Sequence, residues 1–275
     1  MLLLIWTVLI EPRWVAARDM PLQIADWQGP SGLKVAVASD WHLTGHSLWR
    51  VTTVERARRI VQAINAAQPD VILLPGDFIA APLAELEEAA LSEREVAQVL
   101  GELKARLGVF AVLGNHDWAN DGAKMLTELQ QVGIHVLQNE ATPLGNTTLW
   151  VVGVGDHSTG HSNPAGAMGR VPLGAQVLAL MHDPASLTDL PSIQGLVVAG
   201  HTHGGQVYLP GYGALSNGSA APRDWAYGWV THGTNRMYIT SGLGVSILPV
   251  RFNMRPEWVM FTVNGIENSS KKKTP

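Results

Sequence analysis

Gly-His-Thr-His at 200 to 203 sets two imidazoles two residues apart between glycines. It closes a series that starts at Asp40-Trp41-His42 and runs through Gly76-Asp77 and Gly114-Asn115-His116-Asp117. Together these clusters read as a two-metal hydrolase. Two divalent ions about 3.5–4 Å apart need a bridging anion, and Asp77 is the candidate, because a carboxylate at a strand end can touch both. Asp40 and His42, two apart on a chain leaving its strand, point to one side and can offer one ion an oxygen and a nitrogen; His201 and His203 stand in the same relation. The chain has no cysteine, so thiolate metal sites, disulfides and a cysteine nucleophile are excluded, and metal must be held by His, Asp, Asn and water.

Positioning such groups requires strands that end together. Each cluster follows an apolar, β-branched run (33–38, 71–74, 109–113, 196–199), which predicts ligands at the C-terminal ends of neighbouring strands. Between the runs, residues 54–67, 83–107 and 123–132 carry helical patterning, so the first half reads as βαβα. After Ile134 short strands with turn chemistry take over, including Gly145-Asn146. The sheet returns at 177–181, followed at once by His182, and 237–240 and 258–263 read as closing strands. The stretch from Gly204 to Gly233, rich in Gly, Pro, Ala and Ser and dotted with Tyr and Trp, reads as a rim over the site.

The series Asp40-x-His42, Gly76-Asp77, Gly114-Asn115-His116-Asp117, His182 and Gly200-His201-Thr202-His203 resembles the calcineurin-like metallophosphoesterase superfamily. Gly204-Gly205-Gln206, Ser241-Gly242-Leu243-Gly244 and Arg255-Pro256-Glu257 further resemble the bacterial membrane-associated branch that includes UDP-2,3-diacylglucosamine hydrolases. The resemblance implies an α/β fold, a four-layer α/β/β/α sandwich of mixed sheets with its metal site at strand C-terminal ends. It implies two divalent ions, with Mn, Fe and Zn equally suited, one held by Asp40, His42, Asp77 and His203 and the other by Asp77, Asn115, His182 and His201. His116 is left to contact the scissile phosphate and protonate the leaving oxygen, with Asp117 orienting its ring, while a metal-activated hydroxide attacks phosphorus. Asn115 is expected to reach substrate as well, and His46 and His157 are the other histidines expected to do so. One departure stands out: no Arg follows Gly76-Asp77, where Phe78-Ile79-Ala80-Ala81-Pro82 stands instead, a segment that also suits an amphiphile.

With 46% hydrophobic and 15% charged residues, the 275-residue chain can bury one large core. A net charge of −4 argues against a general nucleic-acid binder and leaves a phosphorylated small molecule or lipid as the partner. No protein partner is indicated. Met1 to Ile10 is almost wholly apolar but too short to cross a bilayer, which takes about 20 residues. It reads as an interfacial anchor or the stub of a spanning helix, with Trp6 and Trp14 at headgroup level. The expected organisation is an anchor and linker over 1–31, a metallophosphoesterase domain over 32–265 and a basic tail over 266–275. That predicts membrane association, peripheral or through one N-terminal anchor in a bacterial inner membrane, with hydrolysis of a phosphodiester or pyrophosphate on a lipid-like substrate. Hydrolysis of soluble phosphoesters and a catalytically silent metal-bound membrane module are the competing readings.

Overall fold

Every apolar run that precedes a polar cluster is a strand. The structure, a computed structural model, describes residues 1–45, 51–80 and 91–266. In chain order the strands are β1 (Ala16–Ile24), β2 (Leu33–Val37), β3 (Val71–Leu74), β4 (Val109–Ala111), β5 (His135–Val136), β6 (Glu140–Pro143), β7 (Trp150–Val154), β8 (Gln176–Met181), β9 (Gln194–Ala199), β10 (Tyr208–Leu209), β11 (Gly213–Ala214), β12 (Gly228–His232), β13 (Asn235–Ile239) and β14 (Glu257–Gly265). The helices are α1 (Leu2–Ile5), α2 (Val54–Ala66), α3 (Glu93–Leu100), α4 (Asn115–Gln131) and α5 (Pro164–Met168).

Two six-stranded sheets form, in the orders β1-β14-β2-β3-β4-β5 and β12-β13-β9-β8-β7-β6. Both are mixed: β2 through β5 run parallel and β14 antiparallel to β2, while β7, β8, β9 and β13 run parallel between antiparallel edges. Alternation along the strands builds the layers, since successive side chains point to opposite faces. In β2, Val35 and Val37 join Leu178, Leu180, Leu196 and Val198 in the core between the sheets. Ala36 and Ala38 face the other way, into a core with Ile60 and Ile64 of α2, Val96 and Leu100 of α3, and Met125 and Leu129 of α4. Beyond the second sheet, Val177, Ala179 and Met181 pack with Ala185 and Leu187 of a 3-10 turn and Ala167 of α5. The result is the expected four-layer α/β/β/α arrangement.

Three sequence expectations shift. The segment expected as linker contains β1, which pairs with β14 over its whole length, so the core sheet extends ahead of residue 32. Of the helix expected over 83–107, residues 81–90 lie outside the described residues; the described helix is α3, started by the capping box of Ser92 and Glu95 and stopped at Gly101. Helix α4 begins at Asn115 rather than near Ala123, with a break at Asp121 (φ −143°, ψ 86°), which puts Asn115, His116 and Asp117 on its first turn.

Candidate metal centre

Asp40, Asp77, Asn115, His182 and His201 follow β2, β3, β4, β8 and β9 within a few residues, so both sheets deliver their candidate ligands to one edge. The chain turns sharply there. Asp40 (φ 54°), His42 (43°), Asp77 (55°), His201 (69°) and His203 (51°) all occupy the left-handed region that side chains other than glycine rarely adopt. Such strain persists where surrounding structure enforces it and gathers at functional sites. A β-carbon on Gly114 would collide with Asp77 Oδ1, and one on Gly200 with Ser39 Oγ and close on Asp40 Oδ2, so those glycines let the carboxylates approach the backbone.

Three groups of acceptor atoms result among the described residues, Asp40 with His42 and His203, Asp77 with His182 and His201, and, joining these two, His42 with Asp77 and His116, the atoms in each lying within 4.8 Å of one another. Oriented tautomers expose the second group. His182 Nδ1 donates to the Pro75 carbonyl (2.6 Å) and His201 Nε2 to that of Gly218 (3.1 Å). This leaves His182 Nε2 and His201 Nδ1 facing each other at 3.1 Å, each about as close to Asn115 Oδ1 (3.1 and 3.0 Å). Asp77 Oδ2 stands 3.4 Å from His182 Nε2 and 3.5 Å from His42 Nε2, between the first two groups. His42 and His203 meet Nε2 to Nε2 at 2.9 Å.

Lone pairs crowded together in this way, with their other nitrogens committed to carbonyls, require a positive charge among them, and the donor set fits two divalent cations. The electrostatics agree. Burial pushes His42 down to about 3, against the pull of Asp77, and burial with the charges of His42 and Arg251 holds His203 well below its usual value, so both rings keep the neutral, ligating form. Burial opposes charge on His182 and Asp77, yet their mutual attraction outweighs it, raising His182 and lowering Asp77. Burial, reinforced by Asp77 and opposed by His182, raises Asp40 to about 6.

His116 stands at the open side. Its ring meets that of His42 edge on at 4.5 Å, its Nε2 lies 3.5 Å from Ser246 Oγ, and its ligating nitrogen shares a group with His42 and Asp77. Burial lowers its pKa, against Asp77. Asp117 does not orient that ring. Neighbouring positions on a helix diverge by roughly 100°, and at the third position of α4 Asp117 reaches back instead. Its Oδ2 accepts the amides of Asp77 and Gly114 (both 2.9 Å) and its Oδ1 those of Phe78 (2.8 Å) and Ile79 (3.3 Å). Burial and the charge of Asp77 push it up to about 7, against those amides. It staples the Asp77 loop to the start of α4.

The centre opens into a cavity of about 300 Å3 lined in part by Asp77, Asn115, His116, Gln206, Asn217 and Ser246, with neither Lys nor Arg among the described residues that line it. His157 is not in that lining and His46 lies outside the described residues. Phe78 and Ile79 are not beside the opening either: both are buried under the helices, and the apolar residue at the lip is Ile247, 96% exposed. Several participants carried no spacing signal. Arg251, fully buried, donates to the carbonyls of Ser241, Gly244 and Met254 and lies against His203; Asp183 leaves Oδ2 without a hydrogen bond, 3.9 Å from His201 Nε2. Only the adjacency of Asp183 to His182 hinted at it.

A family profile described as calcineurin-like phosphoesterase matches residues 33–205. The chain is 29% identical over 244 residues to the uncharacterized metallophosphoesterase YkuE of Bacillus subtilis (strain 168), covering 86% of this chain and 81% of that one. It is 34% identical over 204 residues to phosphodiesterase YaeI of Escherichia coli (strain K12), covering 70% of each. A transmembrane protein with metallophosphoesterase domain from Danio rerio is 29% identical over 245 residues, 82% of this chain and 52% of that one.

Proposed function

We propose, from the premise that this chain belongs to the calcineurin-like phosphoesterase family and is a metal-dependent phosphoester hydrolase using two divalent ions, that it cleaves a phosphodiester or pyrophosphate of a lipid-like substrate at a membrane. The observation that carries the substrate class is Ile247, almost fully exposed on the lip of a polar cavity. An apolar side chain at that point is suited to an amphiphile whose phosphate enters and whose tail stays outside. The phosphodiesterase relative supports the bond type, and the exposed apolar residues of the N-terminal segment support the membrane.

Asp40, His42, Asp77 and His203 would hold one ion, and Asp77, Asn115, His182 and His201 the other, with Mn2+, Fe2+ and Zn2+ all compatible. Bound there, the cations supply Lewis acidity toward phosphoryl oxygens and a lowered pKa for water. The remaining work falls to the chain. His116 Nε2 donates to the scissile phosphate and delivers a proton to the leaving oxygen, a role matched to its place on the open side of the ligands. Asn115 and Asn217 offer amides, and Ser246 a hydroxyl, to the phosphate, for which the described lining supplies no Arg or Lys. Ile247 steers the apolar part away.

The test is hydrolysis of a panel by Mn2+-loaded protein: bis-p-nitrophenyl phosphate, its monoester and UDP-diacylglucosamine. The lipid-like pyrophosphate should give the highest kcat/KM. In His116→Ala, kcat should fall by about 10²–10⁴ with both ions retained by elemental analysis. A preference for the soluble esters would replace the substrate assignment, and no turnover on any member with two ions bound would point to a silent metal-bound module.

A further inference from the structure

A second cavity, of about 700 Å3, lies between the N-terminal segment and α2 and shares no lining residue with the metal centre. Arg13, Arg56 and Arg59 line it, and Trp14, Ala63 and Trp258 contribute apolar wall. None of the three arginines forms an ion pair with a carboxylate among the described residues. Arg56 is 7% exposed; its guanidinium donates to the carbonyls of Val51 and Pro12 (both 2.9 Å) and the hydroxyl of Thr52 (3.3 Å). Burial, aggravated by the positive charges of Arg251, Arg13 and Arg59, pushes it down to about 9. Buried charge is costly unless paired, and here the neighbouring charges are of the same sign. Guanidinium groups grouped at one cavity form a fork-like donor set for a tetrahedral phosphate.

The second half of the cavity's chemistry lies in what leads into it. Arg13 and Trp14 end a helical segment whose earlier residues are exposed and apolar: Leu2 is 83%, Leu3 63% and Leu4 67% exposed. Arg13 caps that segment by donating to the carbonyls of Val8 and Leu9, Trp6 packs edge on against Trp14, and Arg255 lies over the Trp14 ring at 3.8 Å. Cations and tryptophans at one level, with leucines beyond, is the order in which a bilayer presents headgroups and chains. We infer that this cavity seats the phosphodiester headgroup of an anionic membrane phospholipid, gripped by Arg13, Arg56 and Arg59, with the acyl chains running along the exposed leucines. The site is independent of whatever bond the metal centre cleaves.

Full-length, metal-loaded protein is titrated with phosphatidylcholine vesicles, with and without phosphatidylglycerol, and the bound fraction read by sedimentation. Phosphatidylglycerol should strengthen binding. Arg59→Gln should lose about fivefold of the affinity for the anionic vesicles, and Ala63→Trp, which fills the cavity from an exposed helix position without changing charge, should abolish the gain from phosphatidylglycerol. Arg170→Gln, an exposed arginine away from the cavity, should leave it unchanged. Unaltered hydrolysis of bis-p-nitrophenyl phosphate by all three variants reports that they are folded. If Ala63→Trp keeps the full gain, or Arg170→Gln loses as much as Arg59→Gln, binding is adsorption by overall charge and the headgroup site is overturned. Inorganic phosphate and dihexanoyl phosphatidylglycerol, compared by calorimetry, distinguish the sources: phosphate binding that Ala63→Trp removes, with no binding of the short-chain lipid, would overturn the lipid assignment.

Discussion

Asp117 shows how far a single residue's role can be read before its neighbours are placed. Gly-Asn-His-Asp made the whole quartet visible as a functional unit, but adjacency in sequence suggested that the carboxylate serves His116, whereas helix geometry aims it at four backbone amides from the Asp77 and Gly114 turns. Truncation would leave those buried amides without an acceptor, each costing on the order of 1 kcal/mol. Asp117→Ala should therefore destabilise the protein by about 3 kcal/mol or more, lowering Tm by several degrees for a chain of this size, and should reduce the number of ions retained after dialysis. Normal Tm and two ions, with only kcat reduced, would restore the ring-orienting role. The candidate ligands were legible because they follow apolar runs and fall in short clusters of Asp, Asn and His, several beside a glycine. Arg251 and Asp183 were not, since an isolated buried polar residue has no period or spacing to betray it. His157 offered only its residue type, and the fold leaves it out of the cavity lining.

At the level of elements, the strands that precede the candidate ligands were legible, as were the closing strands β13 and β14 from 237–240 and 258–263, but β1 was not. β1 reads Ala-Ala-Arg-Asp-Met-Pro-Leu-Gln-Ile, with Pro21 and charged residues that argue against a central strand, yet at a sheet edge a missing N–H is tolerated, and its partner β14 comes from the far end of the chain. The helix expected over 83–107 ran long because Ala, Glu and Leu favour helix wherever they stand, whereas the boundary at Ser92 depends on a cap. The junction of β4 with α4 is the most constrained element boundary at the site: Gly114 is extended (φ −102°, ψ 178°) and needs no glycine conformation, but has no room for a β-carbon beside Asp77 Oδ1 and His182. Gly114→Ala should displace the Asp77 carboxylate and weaken metal affinity by about 10–100-fold, the usual effect of disturbing groups that orient ligands. Retention of both ions at wild-type affinity, measured by competition with a chelator, would show that the loop relaxes around the methyl group.

For the whole molecule, candidate ligands from both sheets meet at one edge, Asp40 and Asp77 from the first and His182 and His201 from the second. Ions bound only by the folded state stabilise it by mass action, about 2.7 kcal/mol at a hundredfold excess over Kd. Removal with chelator should lower Tm, and Mn2+ should restore it in proportion to the ion bound; an unchanged Tm would mean the ligand edge is rigid without cations. The opposite extreme of the chain concerns the membrane. No helix among the described residues is long and apolar enough to cross one; the membrane contact proposed above would rest on the exposed face of the N-terminal segment. Deleting residues 1–31 would not isolate that face, because it removes β1 and the Glu11 carboxylate that accepts the Met254 amide. Replacing Leu2, Leu3 and Leu4 together with Gln leaves those contacts in place. Burial of a leucine is worth about 1.5–3 kcal/mol in full, so even partial insertion of three predicts at least a hundredfold loss of affinity for phosphatidylcholine vesicles, with soluble diester hydrolysis unchanged. Equal vesicle binding by the triple variant and the parent would remove the N-terminal segment from the interface, and with it the support that segment gives to a membrane-borne substrate.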